Sequence, residues 1–248
     1  MRLRSLIGLF LLPSVTLVAQ EASRTSTAVV PIVGNVIGAG MARWRTDVEI
    51  VNDTGAKADV AIELPNTAEQ PVLLLTLAPG EVQRFGDITA EAFGVEAVLS
   101  PLRITTSGRR SVTVRAQVYA EYGGERSPMQ PIATYIGSQY APIRVLDGLA
   151  FSDDFRTNVG LVNFGTHDAE FVLALQRIPG RNVAVTRRRV PAGQLFHEAI
   201  QSLFPLITEG NGFAVVIESI APETYVYASV VESVTQSGRF ISPRIAVR

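Results

Sequence analysis

Two histidines and the absence of cysteine leave this 248-residue chain with few groups that could bind a metal or act as a nucleophile. His167 and His197 are too far apart in the sequence to be two ligands on one strand face or one helix turn. Without thiols, disulfides and thiolate metal sites are excluded. We therefore predict no metal site and no cofactor.

His197 stands next to Glu198, and these are the residue types of a general base and its orienting group. No serine in a nucleophile-elbow context accompanies them, so we predict no catalytic residue, and a hydrolase built on this pair is the least favoured function. Asp153 and Asp154 are adjacent carboxylates of the type that calcium binds, but the D-x-D-x-D-G pattern of a calcium loop is missing. A solvated acidic turn explains them more simply.

Arginine is well suited to hold a carboxylate or a sulfated sugar, because its guanidinium donates two parallel hydrogen bonds. Arg45 and Arg156, each followed by threonine, occur in equivalent sequence contexts and are candidate ligand-binding residues. An outward arginine on a strand also forms cross-strand ion pairs, here beside Asp47 or Glu49. This structural alternative is the stronger of the two.

Exposed aromatic rings offer flat surfaces on which sugar rings stack. Tyr122, Tyr135 and Tyr140 lie at predicted loops and are therefore the candidate residues of a glycan-binding site. Such a site requires that the three rings be exposed and coplanar.

Charge and hydropathy exclude some partners and predict export. The formal net charge is −1 at pH 7, which does not favour nucleic acid. Residues 1–19 begin with two arginines and continue as a short apolar stretch, the pattern of a signal peptide. No later apolar run reaches membrane-spanning length, so we predict a secreted, periplasmic or extracellular product with no membrane association after cleavage.

The sequence also repeats itself. Residues 44–52 (WRTDVEIVN) match residues 155–163 (FRTNVGLVN), with Arg, Thr, two Val and Asn identical. Further aligned pairs are Pro31 with Pro142, Phe93 with Phe204 and, after a one-residue shift, Val118 with Val230 and Pro131 with Pro243. Self-similarity at a fixed spacing indicates tandem units, here each of about 100 residues, the size of an immunoglobulin-like domain. We predict a first module over 28–135 and a second over 136–248.

Both modules have the hydrophobic pattern of half-buried strands. Apolar and polar residues alternate in 44–50 and 58–64 and again in the matching segments of the second copy. Asn52 and Asn163 are predicted to form the turns that follow the first of these strands. Further predicted strands cover 72–77, 99–106, 111–119, 183–190, 213–219 and 225–231, with short helices only at 88–93 and 199–204. The glycines of 34–40 predict a flexible loop.

The block Arg-Thr-Asp/Asn-Val-x-Ile/Leu-Val-Asn, followed by an alternating strand, a Pro/Ala-Gly turn and a short amphipathic turn, resembles immunoglobulin-like β-sandwich repeats of secreted bacterial surface proteins. The resemblance implies spacer, adhesion or binding functions and assigns no functional residue. The predicted fold class is all-β, with two tandem immunoglobulin-like antiparallel β-sandwich domains related by internal duplication.

The predicted function is a non-enzymatic exported structural, adhesion or interaction protein, with a protein or glycan partner at the cell surface. Two alternatives remain open. One is a glycan-binding module that uses the tyrosines. The other is a periplasmic chaperone-like binder that offers a free sheet edge to a client.

Overall fold

The computed structural model describes residues 25–108, 112–136, 141–177, 181–207 and 209–245. The predicted signal peptide, residues 1–19, and the candidate Tyr140 lie outside the described residues. We refer to 25–136 as the first half and 141–245 as the second half. No helix within the described ranges combines the length and the apolar character needed to cross a membrane.

The fold is all-β, as predicted, and every strand pairing among the described residues is antiparallel. The strands of the first half are β1 (Thr25–Ile37), β2 (Arg43–Val51), β3 (Ala58–Glu63), β4 (Val72–Leu77), β5 (Val82–Phe85), β6 (Val98–Ser107), β7 (Thr113–Tyr122), β8 (Glu125–Arg126), β9 (Gln130–Ile132) and β10 (Tyr135–Ile136). A short 3-10 helix covers Ala39–Met41, and helix α1 covers Ile88–Phe93.

The second half has strands of similar order and length. They are β11 (Ile143–Phe151), β12 (Phe155–Asn163), β13 (Ala169–Arg177), β14 (Arg181–Val190), β15 (Leu195–Ala199), β16 (Gly210–Glu218), β17 (Thr224–Glu232), β18 (Gly238–Ile241) and β19 (Arg244–Ile245), with helix α2 at Ile200–Leu203 between β15 and β16. Both predicted short helices are present. Each lies just after a strand, and each buries an isoleucine, Ile88 in α1 and Ile200 in α2.

Strand pairing follows the same plan in both halves. The second half forms a five-stranded sheet, β14-β13-β16-β11-β19, and a four-stranded sheet, β15-β12-β17-β18. Each of these pairings has a counterpart in the first half, in the order β4-β3-β6-β1-β10 and β5-β2-β7-β9. The first half adds a pairing of β1 with β2, which joins all its strands into one ten-stranded sheet.

Each half has its own apolar core. This core includes the inward-facing side chains of the strands in which apolar and polar residues alternate. In the first half the predicted inward residues Val48, Ile50 and Val60 are buried. Val159, Leu161 and Phe171 occupy the corresponding positions in the second half. The alternation is visible in the sequence because only one face of these strands meets a core.

Three details of the sequence prediction are wrong. Residues 34–37 belong to β1 rather than to a loop, and Gly34 is required because a Cβ there would lie 2.6 Å from the Val98 carbonyl oxygen of the neighbouring strand. Bulges after Val30 in β1 and after Leu146 in β11 mark equivalent points of the two strands. Pro31 therefore corresponds to Asp147 rather than to Pro142.

The alignment at the end of each half also differs from the prediction. Ile132 in β9 lies opposite Ala116, and Ile241 in β18 lies opposite Ala228. Pro131 therefore corresponds to Phe240 and not to Pro243. Phe240 packs against the apolar cluster that joins the two halves.

Asn52 and Asn163 are buried at the end of equivalent strands and hold the following turn, as predicted. The Asn52 amide donates to the Ala56 and Leu77 carbonyl oxygens at 2.7 and 2.9 Å. The Asn163 amide donates to the His167 and Val190 carbonyl oxygens at 2.8 and 2.9 Å. Each side chain thus connects a turn to the next hairpin.

We expect Asn52→Ala and Asn163→Ala each to lower the free energy of unfolding by about 1–3 kcal/mol, because buried carbonyl groups lose their donors. Urea unfolding followed by circular dichroism measures this. The exposed Asn182 provides the control, and Asn182→Ala should change stability by less than about 0.5 kcal/mol. Equal small effects at all three positions would contradict the structural role.

Candidate functional site

The two halves contact each other through β1 and the outer face of the four-stranded sheet. A third apolar cluster joins Val29 of β1 to Val162, Tyr225 and Tyr227 of that sheet. Ala28 and Val30 of β1 point instead into the core of the first half. Because β1 is buried on both faces, it has no alternation of polar and apolar residues.

The residues at matching points of the two four-stranded arrangements differ in charge. In the first half Glu49 lies opposite Arg84 on β5 and Arg115 on β7. Its carboxylate oxygens are 2.8 Å from Arg84 Nε and 2.6 Å from Arg115 Nη1, and the hydrogen bond from Arg115 lowers the pKa of Glu49. Both arginines are largely exposed, so this face of the first half meets water.

The second half has Gly160, His197 and Tyr227 at these three places. The Tyr227 ring lies over Gly160, and a Cβ on that glycine would be 2.0 Å from a ring carbon. The ring also stacks on Phe240, with centroids 5.2 Å apart and planes 16° apart. An exposed ion-pair cluster is thus replaced by an aromatic stack that the first half covers.

Tyr227 and His197 are joined by a hydrogen bond, with the hydroxyl 2.8 Å from His197 Nδ1. Burial lowers the pKa of His197 to about 4 and raises the pKa of Tyr227 well above its ordinary value. Both side chains are therefore neutral at pH 7. With the His197 proton on Nε2, the Tyr227 hydroxyl is the donor.

A cavity of about 580 Å³ lies beside this stack, between the two halves. Its first-half wall is mostly apolar and includes Ile32, Val36 and Trp44, while its second-half wall includes His197 and Phe240. Ile37 also lines it and is 66% exposed, so the cavity opens to solvent on that side. This volume lies within the range of small-molecule sites, about 300–1,000 Å³.

Trp44 is the only tryptophan of the chain and connects the two walls. A Cβ on Gly38 would lie 2.7 Å from its Nε1, and a Cβ on Gly238 would lie 3.4 Å from its ring. The indole therefore packs between a glycine of each half. Its equivalent in the second half, Phe155, lies at the surface.

The paired candidates Arg45 and Arg156 have different surroundings. Arg45 forms ion pairs with Glu121 at 3.2 Å and Asp87 at 3.9 Å, the cross-strand type of contact that sequence favoured, although not with Asp47 or Glu49. Arg156 lines the cavity and hydrogen-bonds the neutral Gln236 side chain. Burial lowers the pKa of Arg156. Of these two arginines, Arg156 lines the cavity and Arg45 does not.

The tyrosine candidates do not come together among the described residues. Tyr122 is 47% exposed at the end of β7. Tyr135 is half-buried, with its ring centroid 5.2 Å from that of Tyr225. That ring is used in the contact between the halves, which leaves Tyr122 as the exposed member of the described pair.

The remaining motifs have ordinary structural settings. His167, Asp153 and Asp154 are exposed in turns. Arg187 and Arg189 lie on β14, the edge of its sheet, where they form ion pairs with Glu170 and Asp168. Within the described ranges, no group of three His, Asp or Glu side chains is arranged to hold a metal ion.

Of the residues that line the cavity, the sequence pointed to Arg156 as a ligand-binding candidate but did not indicate the Tyr227, Phe240 and Trp44 contacts. The replacement of Glu49 by Gly160 is visible in the repeat alignment and was the available signal, because a charge-to-glycine change on an outward position indicates a close approach. His197 and Tyr227 could be linked to it only once strand registers were known.

A scan against protein-family models found no match, and searches of the curated proteins and of solved structures found no significant match. The site is therefore interpreted from its own geometry.

We expect Gly160→Ala to lower the free energy of unfolding by at least about 2 kcal/mol, because the new methyl group overlaps the Tyr227 ring. Chemical unfolding of a double-mutant cycle tests the cause. In the Tyr227→Ala background, which removes the ring, Gly160→Ala should cost almost nothing. An equal cost in both backgrounds would show that the ring is not the obstacle.

Stability should also depend on pH through His197. Its folded pKa of about 4 lies below the ordinary value of 6.5, so the unfolded chain binds the proton more readily. The contribution is complete above about pH 6.5 and is lost as the pH falls toward 4, at up to about 1.4 kcal/mol per pH unit.

Urea unfolding between pH 7 and pH 4 measures this slope. His197→Gln should flatten it, whereas His167→Gln, a change at the exposed histidine, should leave it as in the wild type. A slope in His197→Gln as steep as in the wild type would assign the acid sensitivity to other groups.

Proposed function

We propose that the protein is a non-enzymatic, exported interaction protein made of two duplicated immunoglobulin-like β-sandwich modules that pack into one rigid unit. The observation that carries this proposal is the exchange of the Glu49 ion-pair cluster for Gly160, His197 and Tyr227. Duplicated positions that differ in this way serve the contact between modules. A fixed pair of modules is what a spacer or an interaction unit requires.

Polar contacts support the same rigid arrangement. Arg103 of the first half lies over the Phe164 ring, 4.7 Å from its centroid, and donates to the Phe164 carbonyl oxygen at 3.0 Å. The Leu195 amide donates to the Asn66 side chain at 3.4 Å. Directional bonds at several points oppose rotation of one module against the other.

The edge strand β4 supports an interaction surface in the first half. Among described residues β4 pairs with β3 alone, and it exposes Val72 and Leu74, at 54% and 74%. The matching edge strand of the second half is β14. Arg187 of β14 lies opposite Val172, and Leu74 of β4 lies opposite the equivalent residue Ala61, so Arg187 occupies the place of Leu74. Charged edges resist strand addition and apolar edges permit it.

The purified protein should therefore self-associate or bind cell envelopes through β4. Leu74→Arg should weaken that binding, because it gives β4 the arginine that β14 has at the equivalent position. Sedimentation velocity and co-sedimentation with envelope fractions measure the two activities. Arg187→Gln is the matched control and should leave them unchanged. A monomer that binds nothing and turns over a substrate would contradict the proposal.

The open β4 edge also favours the second candidate, a chaperone-like binder that accepts a client strand. In that case an extended peptide, rather than a second copy of the chain, should compete for β4. Solution NMR would then show new backbone hydrogen bonds on β4 when a peptide is added.

A further inference from the structure

The cavity between the halves differs from a simple packing gap in the charge of its walls. Arg156 and Arg239 both line it, and none of the described residues in its lining is Asp or Glu. Arg239 donates to the Gly148 carbonyl oxygen at 2.8 Å, and Arg156 donates to Gln236. Neither guanidinium has an acidic partner among the described residues.

In the first half, the arginine at the position equivalent to Arg156 is neutralised by acidic side chains of the protein. There Arg45 has Glu121 and Asp87 as partners. Ser233 matches Glu121, because Ser233 faces Asp154 as Glu121 faces Arg43. Ala199 matches Asp87, because each is the N-cap of its short helix. The arginine is thus retained at a partly buried position after both acids have been exchanged for uncharged residues.

A partly buried cation without a counter-ion is costly, and an anion from solution offsets that cost. The rest of the wall, including Ile32, Val36, Trp44 and Phe240, would cover an apolar body. A volume of about 580 Å³ is sufficient for a molecule of drug or fatty-acid size.

From these walls we infer that the cavity binds a carboxylated amphiphile, with its carboxylate on Arg156 and its apolar chain against Trp44 and Phe240. A carboxylate fits because one planar guanidinium matches its two oxygens. The neutral His197 and Tyr227 beside it add hydrogen-bonding capacity without adding charge. This inference goes beyond the proposed function and does not depend on the β4 edge.

Trp44 allows a direct test, because it is the only tryptophan and lies in the cavity wall. The full chain is titrated with sodium dodecanoate below its micelle concentration, and Trp44 emission is recorded. Dodecan-1-ol, which has the same chain without the charge, and sodium acetate, which has the charge without the chain, are titrated in parallel. We expect a saturable change that is strongest with dodecanoate and absent with acetate.

Arg156→Gln should weaken dodecanoate binding about tenfold or more and leave dodecanol binding unchanged. Arg156→Lys should restore part of the loss. Arg45→Gln, the same change at the equivalent ion-paired position, should leave dodecanoate affinity as in the wild type. Unchanged dodecanol affinity shows that the Arg156→Gln cavity is still formed.

Three results would overturn the inference: no saturable response to dodecanoate, equal affinity for dodecanoate and dodecanol, or equal dodecanoate affinity in Arg156→Gln and the wild type. The first would show that the cavity takes no such chain, and the others that Arg156 does not select the anion. None of them bears on whether β4 mediates association.

Discussion

The arrangement of the molecule depends on the contact of one aromatic ring with one residue that has no side chain. The Tyr227 ring occupies the space that a side chain at residue 160 would take, and in this position it packs against Val29 of β1 in the apolar cluster between the halves. A sheet that meets water on its outer side tolerates the Glu49 cluster there. The same fold plan meets another protein surface only after the charges at these positions are removed.

The cavity is a second result of that contact. Tyr227 and Phe240 stack on each other in the contact between the halves, and Trp44 packs between a glycine of each half. Between these contacts the walls do not touch, and Arg156 faces the space that remains. The contact between the halves and the cavity beside it therefore involve the same residues, among them Tyr227, Phe240 and Trp44.

The elements that the sequence predicted well are those with one buried and one exposed face. Strands β2 and β3 alternate, and their predicted bounds are close to those observed. The glycines of 34–40 misled, because glycine marks both loops and strands that another strand approaches closely. Strand β1, buried on both faces, offers no alternation from which its two roles could be read.

The candidate site could be predicted only in part. Arg156 was singled out by comparison with Arg45, but its separation from acidic partners depends on strand registers that local sequence does not determine. Likewise Gly160, His197 and Tyr227 are far apart in sequence and adjacent only across three strands. The sequence gives the type of side chain at each position, whereas the neighbours of that side chain are determined by the pairing of distant strands.

Strand β1 has one further consequence, for the order of events during synthesis. It pairs with β2, β6 and β10, so the first half is closed only when Ile136 has joined Ala28. Domains fold from the N-terminus as the chain emerges, and β1 thus offers a finished surface before β17 is made. β1 is then already in place to cover Tyr225 and Tyr227 when the four-stranded sheet of the second half forms.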